Sequence, residues 1–187
     1  DGVHTSVDLD FNSFTGVQYL GGISGQNLGT VKNCSYSGLI NEGTAAIGNS
    51  YGGITGINGD GSTAAVITNC YVSGITMTVN GTCALDPSQS AQDKLDSTSF
   101  TGGIAGKNSR SSKIQNCYIF GSGNTITAKQ GMIGGITGAN AGTLVYCGYS
   151  DSMKIVDSVY TALSTNTNDS KNALTKLLGG STYSSLK

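Results

Sequence analysis

The sequence predicts an all-β fold, a parallel β-solenoid (β-helix) of about four coils, and three observations carry that expectation. Glycine supplies 29 of the 187 residues, roughly twice its usual share, while charged residues are 11% where about 25% is ordinary. The glycines recur in a fixed motif. The segments between them are short β-branched and aromatic runs cut by Gly, Asn and Ser, without the Ala, Leu, Glu and Lys at 3.6-residue spacing that a helical repeat needs. This composition excludes a conventional helical enzyme and a charge-rich disordered tail.

The motif occurs four times, as Gly21-Gly22-Ile23-Ser24-Gly25-Gln26-Asn27, Gly52-Gly53-Ile54-Thr55-Gly56-Ile57-Asn58, Gly102-Gly103-Ile104-Ala105-Gly106-Lys107-Asn108 and Gly134-Gly135-Ile136-Thr137-Gly138-Ala139-Asn140. A second block follows each copy: Val31-Lys32-Asn33-Cys34-Ser35-Tyr36, Ile67-Thr68-Asn69-Cys70-Tyr71-Val72, Ile114-Gln115-Asn116-Cys117-Tyr118-Ile119 and the divergent Leu144-Val145-Tyr146-Cys147-Gly148-Tyr149. First glycine to cysteine spans 13, 18, 15 and 13 residues, and the extra residues fall around 59–65 and 109–112, where a turn tolerates them. Copies start 31, 50 and 32 residues apart, so the unit is 31 to 32 residues with an insertion before the third. That period points to a solenoid.

In stacked parallel coils about 4.8 Å apart, equivalent residues form ladders. The expected ladders are an internal isoleucine row (Ile23, Ile54, Ile104, Ile136), an asparagine row (Asn27, Asn58, Asn108, Asn140) and a cysteine row (Cys34, Cys70, Cys117, Cys147). Asn there can bridge adjacent coils through its amide, and Gly22, Gly25, Gly53, Gly56, Gly103, Gly106, Gly135 and Gly138 allow corners or close backbone approach. One domain, 1–187, follows, with repeats at about 20–50, 51–80, 101–131 and 133–155. Val7, Leu9 and Phe11 alternate with Asp8 and Asp10 as a half-buried strand closing the first coil. The insertion, 81–99, contains Asp86-Pro87-Ser88-Gln89, a helix start that predicts a short helix near 86–95. In the C-terminal cap, 156–187, the apolar residues Leu174, Leu177 and Leu178 before Gly179 predict a short capping helix near 170–178.

The G-G-I-x-G unit followed by N-C-Y resembles the GLUG-motif repeats of bacterial surface and secreted proteins, which occur beside immunoglobulin-A-type peptidases and in adhesin-type proteins. Gly22-Ile23-Ser24-Gly25, Gly53-Ile54-Thr55-Gly56, Gly103-Ile104-Ala105-Gly106 and Gly135-Ile136-Thr137-Gly138 are the matching cores, within residues 20–150. The small or polar third position and the insertion after the second copy depart from the pattern. The resemblance implies an extracellular β-solenoid module and transfers no catalytic or ligand residue.

Chemistry-bearing residues are sparse. Ten basic and eleven acidic side chains give a charge of −1 with no Lys/Arg run, which excludes a phosphate-neutralising surface and hence a nucleic-acid partner. No stretch of 18 apolar residues offers membrane insertion. The chain begins at Asp1 without a charged-then-apolar leader and reads as an excised piece of a larger protein. His4 is the only histidine, and it stands near a chain end, where it reads as a surface residue rather than a base. Cysteines at the same place in four repeats, 36, 47 and 30 residues apart, are not a nucleophile or a zinc site. They read as buried, mostly reduced thiols, with Cys83 in the insertion as the odd one; ladder spacing makes disulfides possible but not required.

The polysaccharide lyases and hydrolases built on β-helices need carboxylates on one face, yet Asp8, Asp10, Asp60, Asp86, Asp93, Asp96, Asp151 and Asp157 lie in termini, turns or the insertion. Asp8-Leu9-Asp10-Phe11-Asn12-Ser13 opens like a calcium loop but lacks its later glycine and glutamate. Arg110, the only arginine, leaves little for recognising a uronic acid. Tyr36, Tyr71, Tyr118, Tyr146 and Tyr149 near the cysteines read first as a ladder of half-buried rings and second as a glycan or protein platform. Of the three sequons, Asn80 and Asn168 are the acceptors available for glycosylation, because a glycan on a ladder-embedded Asn33 collides with packing. The sequence therefore predicts no cofactor, no metal and no enzyme activity. It predicts a structural stalk or adhesive segment of a surface protein, partnered by other domains of the same parent and by a host glycan or protein. End-to-end self-association into a fibre is the alternative.

Overall fold

The computed structural model describes residues 2–11, 17–42, 48–80, 98–128 and 131–157, and over them the chain is all-β, with twenty strands and no helix. The strands form four sheets. The first holds β1 (His4–Ser6), β2 (Leu9–Phe11), β6 (Ser35–Glu42), β10 (Tyr71–Val79), β14 (Tyr118–Phe120), β15 (Thr125–Ala128), β19 (Gly148–Tyr149) and β20 (Lys154–Asp157). The second holds β3 (Tyr19–Gly21), β7 (Ser50–Gly52), β11 (Phe100–Gly102) and β16 (Met132–Gly134). The third holds β4 (Ser24–Asn27), β8 (Thr55–Asn58), β12 (Ala105–Asn108) and β17 (Thr137–Asn140), and the fourth β5 (Thr30–Lys32), β9 (Val66–Thr68), β13 (Lys113–Gln115) and β18 (Thr143–Val145).

Every pairing is parallel, and the chain visits the four sheets in the same order on each pass, an arrangement consistent with a β-solenoid. Copies of the glycine motif lie side by side: Gly21 pairs with Gly52, Gly52 with Gly102, and Gly102 with Gly134. The five residues gained by the second copy fall between β8 and β9. There the Asp60 carboxylate accepts hydrogen bonds from Ser62 N at 2.8 Å and Thr63 N at 2.6 Å, which hold its pKa below the usual value. Strands of three or four residues suffice because each backbone pairs with the passes beside it, and their Ile, Val, Met and Tyr side chains meet in one core.

Each glycine of the motif makes a different close approach. A Cβ on Gly52 would stand 2.1 Å from Thr55 O of its own pass and 2.6 Å from Ala105 Cα of the next. On Gly56 it would stand 2.6 Å from Leu20 N and 2.8 Å from Ser50 O, so the third glycine lets the second and third sheets meet at a corner. The middle glycine faces across the core to the residue two after the cysteine. A Cβ on Gly22 would lie 2.1 Å from the Tyr36 ring, on Gly103 2.1 Å from Ile119 Cδ1, and on Gly135 2.1 Å from the Tyr149 ring. Glycine excess thus reflects a thin interior in which backbone faces large side chains.

The first sheet bends along its length. Ser73-Gly74 adds one residue to β10 relative to β6, and Gly74 takes a φ of +63° there. An interruption at Val7 and Asp8, between β1 and β2, corrects the expected strand over Val7 to Phe11. Val7 is 45% exposed between β1 and β2, and its carbonyl accepts the Tyr36 hydroxyl proton. Leu9 packs against the core as expected. At the other end β20 carries the sheet through Asp157, into the span expected of the cap. The expected helices near 86–95 and 170–178 lie outside the described residues, as do Cys83 and Asn168.

Between the fourth sheet and the return to the first, the chain turns on one left-handed residue per pass: Asn33 (φ 55°), Asn69 (φ 55°), Asn116 (φ 52°) and Tyr146 (φ 53°). Asparagine tolerates this region and a bulky residue does not. Tyr146 is also 55% exposed, so its ring adds little packing. Tyr146→Asn is therefore expected to stabilise the chain by about 1 kcal/mol, raising the thermal midpoint by roughly 2–4 °C. A midpoint equal to or below that of the parent in a thermal melt overturns this.

Candidate binding face

Alternation along the strands after each cysteine decides which tyrosines reach solvent. The side chain one after the cysteine points out (Ser35, Tyr71, Tyr118, with Gly148 in the fourth pass), and the side chain two after points in (Tyr36, Val72, Ile119, Tyr149). The expected stripe of five tyrosines is thereby corrected. Tyr36 is 1% exposed and Tyr149 packs against the core, while Tyr146 occupies the corner. Tyr71 and Tyr118 remain on the outer face, joined by Phe120, which lies 5.1 Å from Tyr71 between ring centroids. Phe120 escapes a search for tyrosines, although its place three residues after Cys117 marks it as outward.

The Tyr36 hydroxyl lies 2.9 Å from Val7 O and 3.0 Å from Leu39 O. Burial, and secondarily the charge of Asp8, push its pKa up to about 12. Folding thus favours the neutral phenol. The stabilisation is complete below the ordinary tyrosine pKa near 10 and is lost as pH rises from there through about 12. In a spectrophotometric titration, Tyr36→Phe is expected to remove one phenol from the late-titrating fraction; an unchanged late fraction overturns the assignment.

His4 acquires two neighbours that its place in the sequence does not reveal. Parallel register sets His4 beside Ser35, and Ser35 beside Tyr71. The His4 Nδ1 to Ser35 Oγ separation is 2.6 Å, and the His4 ring centroid is 6.4 Å from that of Tyr71. The signal was present as a 31-residue offset from His4 to Ser35. A serine–histidine pair needs a third group to orient the ring before it resembles a nucleophile. Among the described residues the acids nearest in sequence are otherwise engaged: Asp8 Oδ1 accepts from Leu39 N at 2.8 Å and Asp10 Oδ1 from Asn41 Nδ2 at 3.2 Å.

An open depression of about 550 Å³ lies on this face, lined by Gly2, His4, Asn33, Asn69 and Tyr71. Its asparagines belong to the exposed corner, where Asn69 Nδ2 donates to Asn33 Oδ1 at 3.4 Å and Asn116 Nδ2 to Asn69 Oδ1 at 3.2 Å. Asn33 is thus an exposed corner residue rather than one embedded in packing.

The repeat residues lie within. Ile54, Ile104 and Ile136 are fully buried and Ile23 packs against the same core. The second asparagine ladder is internal: Asn27 Nδ2 donates to Asn58 Oδ1 at 2.8 Å, Asn58 Nδ2 to Asn108 Oδ1 at 2.9 Å, and Asn108 Nδ2 to Asn140 Oδ1 at 2.8 Å. Each of these three donating amides also reaches a main-chain carbonyl of the fourth sheet or its approach, such as Val66 O, Lys113 O and Thr143 O. The chain therefore enters the fourth sheet over a hydrogen-bonded spine. Cys34, Cys70, Cys117 and Cys147 are buried free thiols. Burial raises the Cys117 pKa, whereas hydrogen bonds from Cys117 and Cys34 lower that of Cys70. Cys34 N donates to Cys70 Sγ at 3.4 Å, so the sulfurs also take part in main-chain bonding.

Asn80 sits just after β10, where its N donates to Glu42 Oε2 at 3.1 Å. Arg110 lies in the turn between β12 and β13. Among the described residues no group of three or more His, Cys, Asp or Glu side chains is placed to hold a metal. The built feature is thus a depression of amides and aromatic rings whose described lining carries no Lys, Arg, Asp or Glu. No protein-family model matches the chain, and no curated protein or solved structure is significantly similar to it.

Proposed function

We propose that the chain is a closed β-solenoid of the GLUG-repeat kind and serves as a non-catalytic extracellular module, a stalk or adhesive segment of a larger surface or secreted protein. The observation that carries this reading is the repetition of the same interior in every pass, Ile, Asn and Cys in register, which is the construction of a rod. The aromatic and amide outer face supports the adhesive half. Antibody labelling of intact source cells tests it. Surface label, with no turnover of polysaccharide substrates by the purified chain, is the expected result; label appearing only after lysis, or turnover, overturns it.

A second reading, stacking into a fibre, is favoured by one observation. Among the described residues β1 to β5 have strand partners on one side only, and unpaired parallel edges template further pairing. Sedimentation at rising concentration decides it: growing polymers support the fibre, and a constant monomer overturns it.

A further inference from the structure

We infer that the depression beside the asparagine corner is a saccharide site taking an uncharged pyranoside chain, with one sugar ring laid on Tyr71 and its hydroxyls on the Asn33 and Asn69 amides. The inference rests on the adhesive reading above and adds the ligand class and the residues.

Four features of the face lead to it. The middle pass contributes only the small Ser35 between His4 and Tyr71, so the two rings close over it to a centroid separation of 6.4 Å and together wall one side of the depression. Tyr71 is 37% exposed, and its ring is tilted by 36° to His4 and 39° to Phe120, so neither neighbour stacks flat on it. An aromatic ring held this way, apolar on its face and wet at its edge, suits the apolar face of a pyranose.

The amides supply the polar half. A carboxamide has two donor hydrogens and two acceptor positions. The corner ladder uses one hydrogen of Asn69 and one acceptor position of Asn33, while Asn69 Oδ1 also accepts from Thr68 Oγ1 at 3.3 Å. The second N–H of Asn69, and both N–H groups and an acceptor position of Asn33, are left for vicinal hydroxyls. The left-handed corner, with φ 55° at both residues, fixes their direction before a ligand arrives.

Charge separates this ligand from its relatives. Among the described residues the lining contains no Lys, Arg, Asp or Glu. A uronic acid or a sulfated sugar therefore finds no Lys or Arg among the described lining residues to pair with, whereas a neutral saccharide leaves no charge uncompensated.

The test is calorimetric titration of the whole chain with cellohexaose, mannohexaose and chitohexaose, with trigalacturonate as the charged comparison. Tyr71→Ser copies the residue that the neighbouring pass carries at that position, and Asn69→Gly keeps the left-handed corner while deleting the amide, so each variant is expected to retain the fold, as checked by circular dichroism. At least one neutral oligosaccharide is expected to bind at millimolar concentration or below, with each substitution weakening it by about tenfold or more. No binding by any neutral oligosaccharide, affinity unchanged from the parent in either variant, or tighter binding of trigalacturonate overturns the inference. Surface labelling of cells is independent of this titration. A labelled surface with no sugar bound defeats the site alone, and an intracellular location defeats the module reading.

Discussion

Gly102→Ala is expected to cost about 3 kcal/mol or more, or to prevent folding, because the three atoms its new Cβ would meet all belong to the main chain. They are Ala105 O at 2.2 Å, Thr137 Cα at 2.5 Å and Gly138 N at 2.8 Å, on two successive passes. Flexible side chains can swing aside, but here relief requires moving the end of β11 away from both β12 and β17, and with it the pairing of Gly102 with Gly134. Gly29→Ala is the internal comparison. A Cβ there meets nothing within 4 Å, and its effect is expected to stay within about 0.5 kcal/mol. Urea unfolding followed by circular dichroism measures both. Similar midpoints for the two variants overturn the argument that close backbone approach, rather than glycine's flexibility, sets the requirement.

The second large effect belongs to the middle of the buried asparagine ladder. Asn58→Ala takes one acceptor from Asn27 Nδ2, which keeps Val66 O, deprives Asn108 Oδ1 of its donor, and removes the bonds to Lys113 O and Ala65 O. All of this happens where no water reaches, since Asn58 and Asn108 are fully buried. With each stranded buried group costing about 1–3 kcal/mol, a total loss of about 4 kcal/mol is expected. Asn140→Ala, at the less buried end, removes a single acceptor from Asn108, which keeps a bond to Thr143 O. Its cost is expected near 1 kcal/mol. Equal losses in denaturant unfolding would mean that the ladder is not a cooperative spine.

These two residues differ in how visible their roles are from sequence. Recurrence of Asn27, Asn58, Asn108 and Asn140 announces a ladder, because identical residues at one period stack when the strands are parallel. Gly102 is announced as well, but not the atoms it faces. A one-dimensional period says which residues are equivalent and is silent on which sheets touch across the interior. The Gly103–Ile119 and Gly22–Tyr36 approaches join the two blocks of the repeat across the core, and only the packed chain brings them together.

The face singled out for binding shows the same division. Tyr71 and Tyr118 are outward by their odd offset from the cysteine, whereas Tyr36 and Tyr149, offset by one more, turn in. Reading all of them as one stripe neglects the two-residue period of a strand. His4 reads as an isolated residue because its partners Ser35 and Tyr71 lie 31 and 67 positions away. Successive passes close those distances to hydrogen-bond and ring contact, 2.6 Å and 6.4 Å respectively.

The sequence by itself determines the strand class, the four-fold repetition, the identity of the buried Ile, Asn and Cys rows and the turn sites between them, since each follows from local period and residue chemistry. Tertiary structure alone decides the interruption at Val7, the inward turn of Tyr36, the left-handed strain at Tyr146 and the gathering of His4, Tyr71, Asn33 and Asn69 around one depression. The physical reason is parallel stacking. It converts a distance of about one repeat along the chain into one strand spacing, so neighbours in space are set by register, which no local property of the chain encodes.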